Sequence, residues 1–214
     1  MVDTFPDVSP VRRTTFGGLA IAYDESVLEP RPWTTAQSQW AAELLRGAPG
    51  GPVLELCSGA GQIGLLAVVL TPRSLVQVDK NPAACAFARA NAVAAGTVLD
   101  VEVVEGAIDG VLSPGARFAG VIADPPWVPS DETTRFPEDP LLAIDGGSDG
   151  LDLARTCVEV AARHLVQDGW LLLQMGTTEQ VEALGAWLAE PGSPALEVLE
   201  VREHAGRGVL ARLG

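Results

Sequence analysis

Apolar positions along the chain fall into two recurring patterns. Short, nearly continuous runs read as strands buried on both faces: GPVLELC (51–57), SLVQVD (74–79), VEVVEG (101–106), FAGVIAD (118–124) and GWLLLQMG (169–176). Between them lie stretches with helical spacing: TTAQSQWAAELLRG (34–47), QIGLLAVVL (62–70), AACAFARANAVAA (83–95), LDLARTCVEVAARHLV (151–166) and TEQVEALGAWLAE (178–190). The punctuation agrees. Gly47 closes the first helix and Thr71-Pro72 stops the second, while Asn81-Pro82 supplies an N-cap and first-turn proline for the third, with Gly96 as its stop. ALEVLEVREH and GRGVLARLG at the end of the chain predict an antiparallel hairpin.

This alternation predicts an α/β fold: a doubly wound, seven-stranded, mostly parallel sheet covered on both faces, with the hairpin as its C-terminal part. We expect a single domain over 1–214, in which 1–50 form an N-terminal cap segment and helix and 51–214 the core. Such sheets bind ligands at the carboxyl ends of their strands, near the point where strand order reverses. Glu55, Asp79, Glu105 and Asp124 all fall at or near such ends.

Composition narrows the chemistry. At 47% apolar residues and a mean hydropathy of +0.22 the chain can build a real core. No apolar run reaches the roughly 18 residues of a membrane span. The start, MVDTFPDVSPVRR, lacks the basic-then-apolar order of a signal peptide. Cys57, Cys85 and Cys157 are odd in number and widely spaced, which fits neither a disulfide framework nor a zinc site. A cytoplasmic protein without a metal is the expectation. Fourteen Lys and Arg stand against 28 Asp and Glu, a net charge of −14 that disfavours a nucleic-acid partner.

Two motifs carry chemistry. The first is ELCSGAGQIG (55–64), between a strand and a helix. Gly59, Gly61 and Gly64 give a tight turn that lets backbone N–H groups approach a ligand at a helix N-terminus, and Asp79 follows at the spacing of a ribose-binding acid. A dinucleotide and S-adenosylmethionine both suit such a loop. Glu55 on the strand favours the latter, because a carboxylate sits badly beside a pyrophosphate but suits the ammonium of a methionine moiety.

The second is ADPPWVPS (123–130), a stiff, acceptor-rich corner at the end of a core strand. Pro125 and Pro126 fix φ and offer no donors, and Asp124 before them is pushed toward an extended conformation. An NH₂ group that is to be methylated must turn its lone pair toward the methyl while its hydrogens are held elsewhere. The Asp124 carboxylate and the Pro125 carbonyl can accept those two N–H bonds, and Trp127 offers a flat face for a planar amide, ring or cation. Hydride transfer gives this corner no task.

Together with VLEPRPWT (27–34), VDKNPAA (78–84) and LLAIDGGSDGLDLARTCVEVAARHLVQDGWLLLQMG (141–176), these motifs resemble the HemK/PrmC family of class I methyltransferases, which methylate glutamine side chains of proteins. The resemblance runs from about residue 16 to the C-terminus and implies a Rossmann-like fold with S-adenosylmethionine as cofactor. It implies that Thr34, Glu55, Cys57, Gly59, Gly61, Asp79, Lys80, Ala107, Ile108 and Asp124 surround the cofactor. Asp124, Pro125, Pro126 and Trp127 would hold the target nitrogen.

There are departures. Asp124 stands where the family has Asn, Trp127 where it has Tyr, Cys57 where a glycine is usual, and Ala107 where an acid near the adenine is usual. A carboxylate at 124 brings an amine or exocyclic amino acceptor into play beside an amide. The expected function is therefore N-methyl transfer to a protein glutamine or a small-molecule amine. The alternatives are an adenine-type nucleic-acid methyltransferase, an NAD-binding oxidoreductase and a cofactor-binding module without activity. The first core strand starts too early for the helical domain that release-factor enzymes carry, so a bare catalytic domain is expected, with a small activator subunit as a possible partner. His164 and His204 read as packed or solvated, Trp170 and Trp187 as core, and DETTRFPEDP (131–140) as a solvated loop or the lip that selects the acceptor.

Overall fold

A computed structural model describes residues 10–96, 100–204 and 206–214. The first nine residues of the expected cap segment lie outside the described residues. The described chain opens with an antiparallel hairpin, β1 (Arg12–Phe16) and β2 (Leu19–Tyr23), turning at Gly17-Gly18 with both glycines at positive φ. The strand reading above did not extend to this hairpin, although TTF-GG-LAIAY carries a turn signal between two β-prone runs. Phe16 and Ile21 are buried in the core, and the Asn91 side chain pairs with both backbone groups of Ala22 (2.8 and 3.0 Å). A 3₁₀ turn (Pro32–Thr34) then leads into α1 (Thr35–Leu45).

The core follows in strict alternation: β3 (Val53–Leu56), α2 (Gln62–Leu70), β4 (Leu75–Asp79), α3 (Pro82–Ala94), β5 (Val101–Glu105) and β6 (Phe118–Ala123). Asn81 caps α3 by accepting the Ala83 N–H, with Pro82 in the first turn. After β6 come a 3₁₀ stretch (Ser130–Arg135), a one-turn helix α4 (Leu141–Ile144) and α5 (Asp152–His164). The chain ends with β7 (Leu165–Met175), α6 (Thr178–Leu188), β8 (Val198–His204) and β9 (Gly208–Leu213). The short elements at 130–144 span only one or two turns each, too little to show a periodicity in the sequence.

β7 begins four residues before the strand expected at 169. Leu165 pairs with Phe118, the register then shifts, and Trp170 pairs with Gly120, with Asp168 at φ 62° inside the irregular stretch. The helical pattern of LDLARTCVEVAARHLV runs on over residues that the structure places in the strand.

The sheet order is β5-β4-β3-β6-β7-β9-β8. The first five strands in that order are parallel, and β9 runs antiparallel to both neighbours. Strand order reverses between β3 and β6, whose ends Leu56 and Ala123 pair directly. Alternate residues feed two cores. Leu54, Val121 and Leu171 pack with Val158 and Leu184 of α5 and α6. Val53, Ile122 and Leu172 pack with Leu45 and Ile63 of α1 and α2. Burial on both faces explains the continuous apolar strands. Among the described residues no helix is long and apolar enough to cross a membrane.

Candidate active site

At the carboxyl ends of β3, β4, β5 and β6 lies a cavity of about 290 Å³. Its floor is the loop after β3, where Cys57, Gly59 and Gly61 all adopt left-handed φ (56°, 53° and 79°). The position of Cys57 is thus one where glycine fits without strain. The neighbouring Cys157 thiol, together with partial burial, pushes the Cys57 pKa well above the usual thiol range and marks it as a packed group, not a nucleophile. Gly61 lies against the Gln77 amide, which a Cβ would meet at 2.6 Å.

Asp79, at the end of β4, accepts the Gly59 N–H through Oδ2 and the Asn81 N–H through Oδ1, both at 2.8 Å. It is therefore held rigidly at the cavity wall, one face of its carboxylate tied to the loop. Cys57, Gly59, Asp79 and Lys80 line this part of the cavity, with Ala107 and Ile108 after β5. Across the strand reversal, Asp124 and Pro126 line the facing wall.

Asp124 is half-buried, and among the described residues nothing hydrogen-bonds its carboxylate, so burial alone pushes its pKa up to about 7. Among the described residues the Pro125 carbonyl also lacks a donor. Pro125 itself does not line the cavity, and Trp127 lies behind the wall. The Trp127 ring packs against Gly176, where a Cβ would come within 2.4 Å. The stacking face expected of Trp127 is thus placed beside β7, not in the cavity.

Glu55 departs most from its expected place. It is 2% exposed and does not line the cavity. In β3 it shares the face of Val53, which points at α2. Its Oε1 accepts the Gly64 N–H (2.9 Å) and its Oε2 the Gln77 amide (2.6 Å), and Gln77 also donates to the Gly61 carbonyl (2.9 Å). Burial nevertheless drives its pKa up to about 7, with the charges of Asp124 and Asp79 adding to the rise and the two hydrogen bonds opposing it. Glu55 and Gly61 thus brace the loop from beneath. Thr34 is likewise buried away from the cavity, its hydroxyl donating to the Arg31 carbonyl (2.9 Å). His164 fills a packing role, with Nδ1 3.0 Å from the Ala116 carbonyl.

Several wall residues are not among the expected site residues, although Val27, Leu28, Leu142 and Ala143 fall in segments that carry the family resemblance. Ser26, Val27 and Leu28 come from the segment after β2, Leu142 and Ala143 from α4, and Asp109 stands two residues beyond Ala107. Arg31 bridges the first two groups of elements, gripping Asp139 through both carboxylate oxygens (2.6 and 2.8 Å). Ser58 Oγ and Gln62 Oε1 are buried at the cavity wall without a hydrogen-bond partner among the described residues.

A parallel sheet that reverses at β3/β6, carries an antiparallel final hairpin and opens a cleft over a glycine loop and an acid-ended β4 defines the Rossmann-like class I methyltransferase fold. The sequence profile of the methyltransferase small domain matches residues 36–188. The chain belongs to this family, as a HemK-like member. It is 38% identical over 165 residues to a release factor glutamine methyltransferase of Deinococcus radiodurans, covering 75% of this chain and 58% of that protein. A ribosomal protein uL3 glutamine methyltransferase of Burkholderia pseudomallei is 32% identical over 59% of this chain and 45% of its own. The chain thus spans less than two thirds of these relatives' length.

Among solved structures, the ribosomal protein L11 methylase of Lactobacillus delbrueckii subsp. bulgaricus superposes with a TM-score of 0.63 at 16% identity, covering 89% of this chain and 82% of its own. The Pyrococcus abyssi tRNA (uracil-54, C5)-methyltransferase in complex with S-adenosyl-L-homocysteine gives 0.62 at 16% identity, covering 95% and 44%. At such identities these share the fold.

Proposed function

We propose that this chain is an S-adenosylmethionine-dependent N-methyltransferase acting on an amide or amino nitrogen, with a protein glutamine as the first acceptor to test. The observation that carries this reading is the pair of acceptors left without donors at the β6 corner, the Asp124 carboxylate on the cavity wall and the Pro125 carbonyl beside it. Acceptors partly withdrawn from water in this way cost free energy until a donor arrives, and an NH₂ group brings two.

The cavity fits the cofactor. It offers the braced Asp79 carboxylate for the ribose hydroxyls, apolar walls at Val27, Leu28 and Ile108 for the adenine, and the unpartnered Ser58 Oγ and Gln62 Oε1 for polar atoms. Cys57, Gly59, Lys80 and Ala107 complete the binding surface, while Thr34, Glu55 and Gly61 act from behind it. Bound there, the cofactor supplies an electrophilic methyl group. The chain's own task is to orient the nitrogen: Asp124 accepts one N–H, the Pro125 carbonyl the other, and Pro126 keeps both rigid. Trp127 anchors the corner from the sheet side. Positioning of this sort governs most of the rate, since a misplacement of about 1 Å can cost on the order of 100-fold.

The carboxylate at 124 supports a second acceptor, a small-molecule amine. As positive charge develops on the attacked nitrogen, a carboxylate stabilises it more than a neutral amide would. The surplus of acids over bases favours such a cationic or neutral acceptor over a polyanion. Residues 51–214 form the catalytic core in this reading and the described part of 1–50 its cap, within a cytoplasmic protein that works alone or with a small activator subunit.

The test is calorimetric titration with S-adenosylhomocysteine, with NAD as control. Micromolar binding that Asp79→Ala abolishes is expected. Binding of NAD alone overturns the reading in favour of an oxidoreductase. An acceptor screen of glutamine peptides, amines and oligonucleotides then separates the acceptor classes, and absence of transfer to all of them leaves only a cofactor-binding module.

A further inference from the structure

The prolines that stiffen the β6 corner also deprive it of anchorage. Neither can donate to a ladder, so the corner is held at its start, where Gln37 Nε2 donates to the Ala123 carbonyl (2.9 Å), and by the first backbone groups beyond the prolines. Val128 is secured through the loop before α5: its N–H donates to the Ile144 carbonyl (2.9 Å) and its carbonyl accepts the Gly146 N–H (2.8 Å). The Trp127 carbonyl is secured by a side chain 53 residues away, Gln180 in the first turn of α6.

The Gln180 amide joins three segments. Its Nε2 donates to the Trp127 carbonyl (2.8 Å) and to the Asp149 carbonyl (3.3 Å), and its Oε1 accepts the Gly176 N–H at the end of β7 (2.9 Å). Glycines leave room for it. A Cβ at Gly150 would stand 2.4 Å from Gln180 Nε2 and 2.3 Å from the Trp127 carbonyl oxygen, and one at Gly176 would stand 3.0 Å from Gln180 Oε1 and 2.4 Å from the Trp127 ring. The backbone of α6 does not require this arrangement, because the helix already has its own cap in Thr177, whose hydroxyl accepts the Gln180 N–H.

We propose that Gln180 is the positioning residue of the acceptor corner: by tying the Trp127 carbonyl to the end of β7 and to the loop before α5, it sets where Asp124 and Pro125 present their acceptors. No other side chain among the described residues hydrogen-bonds the 124–127 backbone. Gln180 does not line the cavity, so it acts through Trp127. Only the kinetic consequence rests on the methyl-transfer reading; the clamp itself does not.

Two variants test it. Gln180→Met keeps length and removes all three hydrogen bonds. Gln180→Glu keeps the acceptor for the Gly176 N–H and loses both donated bonds, so it isolates the hold on Trp127. The full chain is labelled with 5-fluorotryptophan, and the Trp127 resonance among the five tryptophans is assigned by its loss in Trp127→Phe. In both variants the Trp127 signal should move or broaden while the other four stay, with S-adenosylhomocysteine affinity within about threefold of wild type. With a glutamine peptide as acceptor, kcat should fall by about 10- to 100-fold at little change in KM for the cofactor. An unmoved Trp127 signal in both variants overturns the proposal. So does movement of all five signals together with loss of cofactor binding, which would mark Gln180 as a fold-wide support. If the wild type transfers no methyl to any acceptor, the methyl-transfer reading fails and the fluorine spectra still decide the clamp.

Discussion

Replacing Glu55 by Gln should remove a pH dependence of stability that the wild-type chain carries between about pH 4.5 and 7. Burial lifts the folded-state pKa of Glu55 from its ordinary 4.5 to about 7. Within that window the folded protein keeps a proton that the unfolded chain has released. Stability therefore falls as pH rises through the window and levels off above pH 7. At about 1.4 kcal/mol per pH unit, Glu55 contributes a loss of about 3 kcal/mol across the window.

Other groups leave this window readable. Asp124, raised to about 7, adds a decline of the same sign. Asp145, Asp149 and Glu179 are held below their ordinary values, so their contributions are present above those values and are lost only in more acid solution. The assay is urea unfolding followed by tryptophan fluorescence at intervals from pH 4.5 to 8. Glu55→Gln should remove about half of the decline, and the double variant with Asp124→Asn should flatten it. In the single variant the new amide faces the Gln77 amide, whose own Oε1 has no partner among the described residues. The level of stability reports that rearrangement; the slope reports the charge. A wild-type slope that is flat or rising, or a Glu55→Gln curve parallel to wild type, would refute the reasoning.

Three further outcomes are expected. Gly64→Ala places a Cβ 2.5 Å from Glu55 Oε2, and should destabilise by about 1–3 kcal/mol in thermal or urea melts, with weakened S-adenosylhomocysteine binding because the brace beneath the loop is displaced. Arg31→Met cuts the bridge to Asp139 between the segment after β2 and the loop before α4; as a partly exposed ion pair it should cost no more than about 1 kcal/mol of stability, while stopped-flow release of S-adenosylhomocysteine quickens severalfold. Asp124→Asn removes the negative charge but keeps an N–H acceptor, so it should shift the ratio of amine to glutamine-peptide methylation about tenfold or more toward the amide, measured as relative kcat/KM.

The strand and helix order, the two-sided sheet and the glycine loop were legible in the chain because each is a local pattern. Continuous apolar runs mark strands covered on both faces, and left-handed φ at Gly59 and Gly61 is a demand met within a few residues. Asp79 and Asp124 were legible as wall residues for a related reason. In a parallel sheet, the residue that closes a strand or immediately follows it stands at the cleft wherever strand order reverses. The β1–β2 hairpin carried a turn signal, but its place against α3 rests on Asn91, 69 residues from its partner Ala22.

What the fold alone decided is which polar atoms meet. Glu55 lies on a strand end as expected, yet the pleat turns it toward α2. There the direct pairing of Glu55 with Gln77 across β3 and β4 brings the two amide and carboxylate groups together beneath the loop. Arg31 finds Asp139 across 108 residues, and Gln180 reaches Trp127 across 53. Hydrophobic periodicity states which residues must leave water, because burial is non-directional and summed over many positions. Hydrogen bonds are short and directional, so their partners are settled only once register, crossover and helix packing have placed the backbone to within a fraction of an ångström.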